Sequence, residues 1–328
     1  MEGKTLLYVH GFGSSGQSGT VARLRTVLPN ARIVAPDLPL HPEEAMSLLR
    51  DVCQQERPDL VLGTSMGGMY AEMLRGYERI LVNPAFEMGD TMGAHGMVGA
   101  QHYQNPRQDG VQDFIVTKAL VKEYRQMTEQ CFAGADDPLE QQRVFGLFGD
   151  QDPLVHTQPL FNRHYRQSIT FHGEHRMDDH SFMHSIVPVI RWVDDRQEGR
   201  GRPIIYIGIE ALRDERRQAR PSAQKAVRIL SEQYTVYFLT PGEGGNASTQ
   251  QAEDAEWLAQ HMGVYAWHHI VCTYQRHLLY GDYLIAPKPT HVLHPGETDL
   301  LAQWVDYGSE QMKTWDDILV FFQRLGGQ

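Results

Sequence analysis

The sequence predicts an α/β protein of two consecutive domains, each built on a parallel sheet covered by helices. Three observations carry this. Short apolar runs alternate with segments of helical spacing through the first 195 residues, as expected for strands buried on both faces. A polar, glycine-containing stretch over 196–202 interrupts the alternation, and a second strand–helix series follows it. The length, 328 residues, suits two domains at about 100–200 residues each.

In chain order, Leu6–Val9 is a strand closed by His10-Gly11 and a Gly/Ser loop. Val21, Leu24, Val27 and Leu28 share a helical face, and Arg32–Ala35 is a second strand ended by Pro36. Pro42 opens a helix whose apolar face is Ala45, Leu48, Leu49 and Val52. Leu60–Leu62 is a third strand, Met66–Leu74 a helix, and Ile80–Val82 a fourth strand ending at Asn83-Pro84. Val144–Phe148 and Ile169–Phe171 supply two more strands. Between Phe86 and Arg143 the pattern breaks, apart from a helix around Ile115–Thr128. This is too long for a plain connection, so residues 86–142 are expected to be a lid-like insertion over the C-terminal edge of the sheet. The first domain is therefore assigned to residues 1–195, the linker to 196–202 and the second domain to 203–328. In the second domain Ile204–Ile209, Val236–Leu239 and His269–Cys272 are strands, and Ala252–His261 is a helix. Thr314, followed by Asp316 and Asp317, should cap the last helix.

Composition narrows the function. Hydrophobic residues make up 41% and charged residues 22%, an ordinary globular balance. Lys+Arg total 30 against Asp+Glu 41, a net charge of −11 with acidic excess in both halves. A phosphate backbone needs the opposite sign, so nucleic acid is not an expected partner. The longest apolar runs, such as Ile318–Phe322, are too short to span a bilayer, and the first residues run into a strand pattern with no secretory h-region. Three scattered cysteines, Cys53, Cys131 and Cys272, fit buried thiols in a reducing cytoplasm.

Gly63-Thr64-Ser65-Met66-Gly67 matches G-x-S-x-G between a predicted strand and a predicted helix. A sharp strand-to-helix turn lifts the serine hydroxyl clear of the backbone, and the flanking glycines Gly63 and Gly67 remove side chains that would clash. An idle serine in a tight turn is the bland alternative. The Met66 N–H at the helix N-terminus suits a developing oxyanion. A second donor should come from His10-Gly11-Phe12-Gly13 after the first strand, with the Phe12 N–H as candidate; Gly11 keeps that loop open and His10 is read as structural.

A serine needs a base, and the base an orienting acid; in a fold of this class the chain order is Ser, Asp or Glu, His. Gly149-Asp150-Gln151-Asp152-Pro153 follows a strand, which makes Asp152 the acid, with Asp150 as the alternative. His175 lies in the loop after the last strand and is the chosen base; His180 and His184 compete. The i, i+4 pair His180/His184 beside Asp178 and Asp179 also raises a metal site, but no H-E-x-x-H is present and His175 needs no metal to explain it. No metal and no cofactor are expected.

LLYVHGFGSSGQS, APDLP, LVLGTSMGGMYAEML, LVNPA, GLFGDQDPLV and GEHRM together resemble the small YqiA-like esterases of the α/β-hydrolase superfamily, over roughly residues 1–195. The resemblance implies a Ser65–His175–Asp152 triad with Phe12 and Met66 as oxyanion donors. The stretch 86–142 is long for that family, so its lid and pocket do not carry over.

Residues 203–328 resemble a Rossmann-like haloacid-dehalogenase (HAD) domain of the 5'-nucleotidase/deoxynucleotidase type, on Ile205–Glu210, Tyr237–Thr240, Gly281–Ile285 and Lys313–Leu319. That family's first strand ends in D-x-D, whose first aspartate attacks phosphorus and helps bind Mg²⁺. Here those positions are Gly208 and Glu210. The later L-I-D-D reads Leu284-Ile285-Ala286-Pro287, the usual lysine is Arg276, and only the phosphate-contact position Thr240 remains. Without carboxylates, Mg²⁺ has no ligands to replace its water.

The expected function is a cytoplasmic serine hydrolase acting on a small-molecule ester or thioester, with a non-catalytic second domain. A non-catalytic scaffold, an acyltransferase and a nucleotide phosphatase in the second domain are the alternatives. The sequence leaves the oligomeric state open.

Overall fold

Six parallel strands form the first sheet of this computed structural model, which describes residues 1–241, 247–273, 275–288 and 301–325. The strands are β1 (Thr5–Val9), β2 (Arg32–Val34), β3 (Leu60–Thr64), β4 (Arg79–Val82), β7 (Val144–Gly149) and β8 (Gln167–Phe171). Their spatial order is β2-β1-β3-β4-β7-β8. Every residue of β4 is buried, as are four of five in β1 and β3, because helices cover both faces. That explains why these strands read as continuous apolar runs and not as alternating ones.

The chain adds β2 on one side of β1 and then β3 on the other, so direction reverses between β1 and β3. Loops leaving two such neighbours go to opposite faces and open a crevice at the carboxyl ends of the strands. The loop after β1 and the elbow after β3 both border it.

The stretch predicted as an insertion contains a helix over Met88–Ala94, an antiparallel hairpin of β5 (Gly99–His102) and β6 (Asp113–Val116), and helices over Lys118–Thr128 and Pro138–Gln142. The helix expected from Ile115 begins instead at Lys118. Asp113–Val116 alternates exposed and buried residues, the period of a strand, and Thr117 ends it. The Leu120 N–H donates to Thr117 Oγ1 at 3.0 Å, a side-chain cap that sets the helix start.

By internal contacts the chain divides into Met1–Gln197 and Glu198–Gln328. The expected linker at 196–202 starts too early, since the helix Val187–Glu198 continues through its first three residues. Arg196 explains this: its guanidinium pairs with Glu78 and donates to Gln142 O at 3.1 Å, anchoring the last turn to the first unit. In the second unit β9 (Ile204–Gly208), β10 (Thr235–Thr240), β11 (Ile270–Cys272), β12 (Tyr280–Ala286) and β13 (Leu301–Asp306) are parallel, in the order β11-β10-β9-β12-β13. Ile209, expected in the strand, opens the short helix Ile209–Leu212, and the helix expected from Ala252 begins at Ala247. The Asp317 N–H donates to Thr314 Oγ1 at 3.3 Å and the Thr314 N–H to Asp317 Oδ2 at 2.8 Å, a reciprocal cap on the last helix. Among the described residues, no helix is long and apolar enough to cross a membrane.

Candidate active site

Ser65 is the residue between β3 and the helix Met66–Glu72, with φ 54° and ψ −120°. A non-glycine residue at positive φ is strained, and packing around the turn must hold it there. A side chain on Gly63 would lie 2.2 Å from Gly67 O, and one on Gly67 2.0 Å from Val9 O. Both collisions are with backbone, so the tight turn requires glycine at both places. A Cβ on Gly11 would sit 3.3 Å from Ser65 Cβ, which puts the loop after β1 against the serine.

The loops after β7 and β8 bring the other two predicted residues to the serine. His175 Nε2 lies 2.9 Å from Ser65 Oγ, and His175 Nδ1 lies 2.7 Å from Asp152 Oδ2. The Asp152 side chain is 2% exposed and that of His175 13%. Burial pushes the Asp152 carboxyl up. The hydrogen bond from His175 and those from the Leu154 and Val155 N–H groups outweigh it and hold the group below the ordinary carboxylate range. An ionised Asp152 accepts only, so Nδ1 carries the imidazole proton and Nε2 is free to accept from the serine hydroxyl.

Asp150, the alternative acid, is directed elsewhere. It accepts from the Gly173 N–H at 3.1 Å and pairs with His172 Nδ1 at 3.0 Å, bracing the loop that carries His175. His180 and His184 face each other, ring centroids 4.3 Å apart, on the turns that follow. Among the described residues, no group of three His, Cys, Asp or Glu side chains is placed to hold a metal ion.

His10 is buried, 2% exposed, and fixed at both nitrogens. Nε2 accepts from the Leu38 N–H at 3.1 Å, so Nδ1 donates to Gly11 O at 2.9 Å. Burial lowers its pKa from 6.5 to about 4, against the pull of the Gly11 hydrogen bond. A neutral His10 thus orients the peptide that leads into Phe12.

Two residues outside the predicted set hold this region together. Tyr124, on the insertion helix Lys118–Thr128, is fully buried, and its hydroxyl lies 3.1 Å from Leu40 O, 3.2 Å from Met66 Sδ and 3.2 Å from Tyr70 OH. The Phe12 ring packs edge-on against Tyr124 and against Phe114 of β6. Both candidate oxyanion donors therefore rest on the insertion. Only the apolar spacing of that helix pointed to Tyr124, and spacing does not say what a hydroxyl will meet. Asn83, after β4, is the second; the sequence showed it as a polar residue between a strand and a proline, within the LVNPA stretch, with no sign of its partners.

A parallel sheet with a serine elbow at its reversal point, and a histidine and an aspartate delivered by later loops, defines an α/β-hydrolase fold over about the first 60% of the chain. The model of the uncharacterised protein family UPF0227 matches residues 5–184, and the chain belongs to that family. Solved structures similar to it include Est1E from Butyrivibrio proteoclasticus, 16% identical, covering 60% of this chain and 88% of that one with a TM-score of 0.41. An esterase from a marine microorganism is 14% identical, with 60% and 95% covered and a TM-score of 0.37. A hydrolase from Pseudomonas aeruginosa PA01 is 11% identical, with 60% and 90% covered and a TM-score of 0.39.

Proposed function

We propose that the protein is a serine hydrolase that cleaves a small-molecule carboxylic ester or thioester through an acyl-enzyme. The observation that carries this is the continuous chain Ser65 Oγ, His175 Nε2, His175 Nδ1, Asp152 Oδ2, at 2.9 and 2.7 Å. In the proposed reaction His175 takes the hydroxyl proton as Ser65 Oγ bonds to the carbonyl carbon. The N–H groups of Phe12 and Met66 hold the oxyanion, and His175 H⁺ protonates the departing alkoxide or thiolate. Water, deprotonated by His175, then attacks the acyl-enzyme and frees Ser65. If an alcohol or amine replaced water, the same site would be an acyltransferase.

A non-catalytic scaffold has no use for a serine at positive φ aimed at a buried histidine–aspartate pair, and the geometry counts against it. We extend the proposal to the second unit as a HAD-like domain without phosphatase chemistry, on the strand order β11-β10-β9-β12-β13 and on Gly208 and Ala286 at the ends of the adjacent strands β9 and β12. The unpaired thiols of Cys53, Cys131 and Cys272 support placing the protein in a reducing compartment, the cytoplasm. Neither nucleic acid nor membrane is proposed as a partner.

The test is labelling with a fluorophosphonate, which captures serines activated by an adjacent base, followed by mass spectrometry of the modified peptide. Labelling at Ser65, abolished in Ser65→Ala and reduced at least about 1000-fold in His175→Ala, is expected. Folded protein that does not label, or an esterase activity that survives Ser65→Ala, sinks the proposal.

A further inference from the structure

We infer that Asn83 is a positioning residue for the proposed triad, a clamp that ties the acid loop to the histidine loop; this rests on the serine-hydrolase reading above. Asn83 follows β4 and is 2% exposed. Its Oδ1 accepts from the Gly149 N–H at 2.7 Å. Its Nδ2 donates to Glu174 O at 3.0 Å and to His175 O at 3.2 Å. The partners fix which way the amide points, because a backbone N–H needs the oxygen and two carbonyls need the NH₂.

The place of β4 in the sheet gives this clamp its meaning. Ser65 follows β3, Asp152 follows β7 and His175 follows β8, and β4 lies between β3 and β7. Backbone on either side of Asn83 braces the elbow: the Ser65 N–H donates to Val82 O at 2.9 Å and the Ala85 N–H to Ser65 O at 3.0 Å. The side chain of Asn83 then reaches the other way, to the residue that ends β7 and to the peptide of the base itself. One residue thus references all three loops to one strand end. Its backbone has φ 44°, a conformation that asparagine tolerates better than other residues with a Cβ. Asparagine is suited here on two counts, as the side chain with both hydrogen-bonding senses and as the backbone that accepts the turn. Aspartate would place a carboxylate oxygen against two carbonyls and lose both donated bonds.

A triad works only when the base is held within a fraction of an ångström of the serine, and displacement of about 1 Å can cost on the order of 100-fold in rate. Asn83→Gly removes the clamp while leaving the positive φ unstrained. With a p-nitrophenyl ester as substrate, kcat is expected to fall by about 10- to 100-fold with KM within about twofold, and the fluorophosphonate reaction at Ser65 to slow by a similar factor. Tyr165→Phe is the control for lost stability alone. It deletes a buried hydrogen bond to Glu72, at the far end of the elbow helix, and should lower the melting temperature without changing kcat.

If wild type labels at Ser65 and Asn83→Gly labels at the same rate with unchanged kcat, Asn83 is structural only and this inference is wrong. Failure of the wild type to label removes the serine-hydrolase reading itself, and the clamp with it. Should Asn83→Gly not fold, Asn83→Asp, with nearly the same shape, takes its place: a drop in kcat at unchanged KM supports the clamp, and wild-type kcat overturns it.

Discussion

His10 is the residue at which protonation and structure are most directly coupled. The unfolded chain takes a proton on this imidazole at about 6.5, whereas in the folded protein burial delays protonation to about 4. Between those values the unfolded state binds the extra proton. Stability from His10 is therefore complete above about pH 6.5 and is lost progressively as the pH falls toward 4, amounting to about 3 kcal/mol. Asp152 acts in the same sense at lower pH. Its depressed carboxyl contributes stability that disappears only as the pH falls through its folded value. His10→Gln keeps a donor and an acceptor on a side chain that does not titrate. The expected outcome of denaturant melts at pH 7 and pH 4.5 is a smaller acid-induced loss in His10→Gln than in wild type. Equal losses would mean that His10 is solvated and protonated in the fold. The assignment matters for function too, since a protonated His10 could no longer accept from the Leu38 N–H and the peptide before Phe12 would be free to turn.

The elbow helix can accommodate little change, because it starts against the backbone of two strands. In Gly67→Ala the new Cβ would lie 2.0 Å from Val9 O and 2.6 Å from His10 O, with no flexible side chain to move aside. The Gly19→Ala substitution, on the helix Gly19–Val27, meets nothing within 4 Å. Thermal melts should show Gly67→Ala destabilised by several kcal/mol or unfolded, and Gly19→Ala within about 0.5 kcal/mol of wild type. A well-folded Gly67→Ala with wild-type esterase activity would mean that the strand–helix turn is looser than described. The same elements show what the sequence could reveal. β3, the glycines and the helix that follows were legible because they are local: apolar residues, a turn motif and a helical period lie within a dozen positions. The hairpin in the insertion was not. Gly99–His102 has no apolar alternation, and its partner lies more than ten residues on, so pairing is decided by contacts that sequence spacing does not record. Asp152 was preferred to Asp150 in the sequence, but what each does was visible only in three dimensions, since both leave the same strand and differ in which histidine each meets. Asn83 was hidden for a related reason, its three side-chain partners lying 66, 91 and 92 residues away.

At the scale of the whole molecule the two units carry opposite kinds of sheet end. In the first, the reversal between β1 and β3 holds a strained serine in a turn packed too tightly for any residue but glycine at 63 and 67. In the second, the reversal falls between β9 and β12, and their carboxyl ends offer Gly208 and Ala286-Pro287. A Cβ at position 208 would lie 2.6 Å and 2.9 Å from the two carboxylate oxygens of Glu210, so that side chain lies over the strand end. Glu210 is in turn 3.8 Å from the Arg276 guanidinium, and Asp306 at the end of β13 accepts from the Lys288 N–H at 2.9 Å. Among the described residues, Glu210 and Asp306 at this edge each face a cation or amide of the protein, and Thr240 at the end of β10 is 2% exposed. A hard cation binds where several free oxygens converge and phosphoryl transfer needs such a cation or an equivalent positive clamp, so this edge should neither hold Mg²⁺ nor turn over phosphate esters. The protein is therefore expected to release no phosphate from nucleoside monophosphates or p-nitrophenyl phosphate in 10-mM-scale Mg²⁺, roughly the excess that would saturate a weak site. Its melting temperature should be the same in Mg²⁺ as in EDTA. Gly208→Asp should not create the activity, because it restores one carboxylate only and leaves Ala286 unchanged. Mg²⁺-dependent phosphate release that survives Ser65→Ala would overturn the proposal of a non-catalytic second unit while leaving the proposed triad untouched.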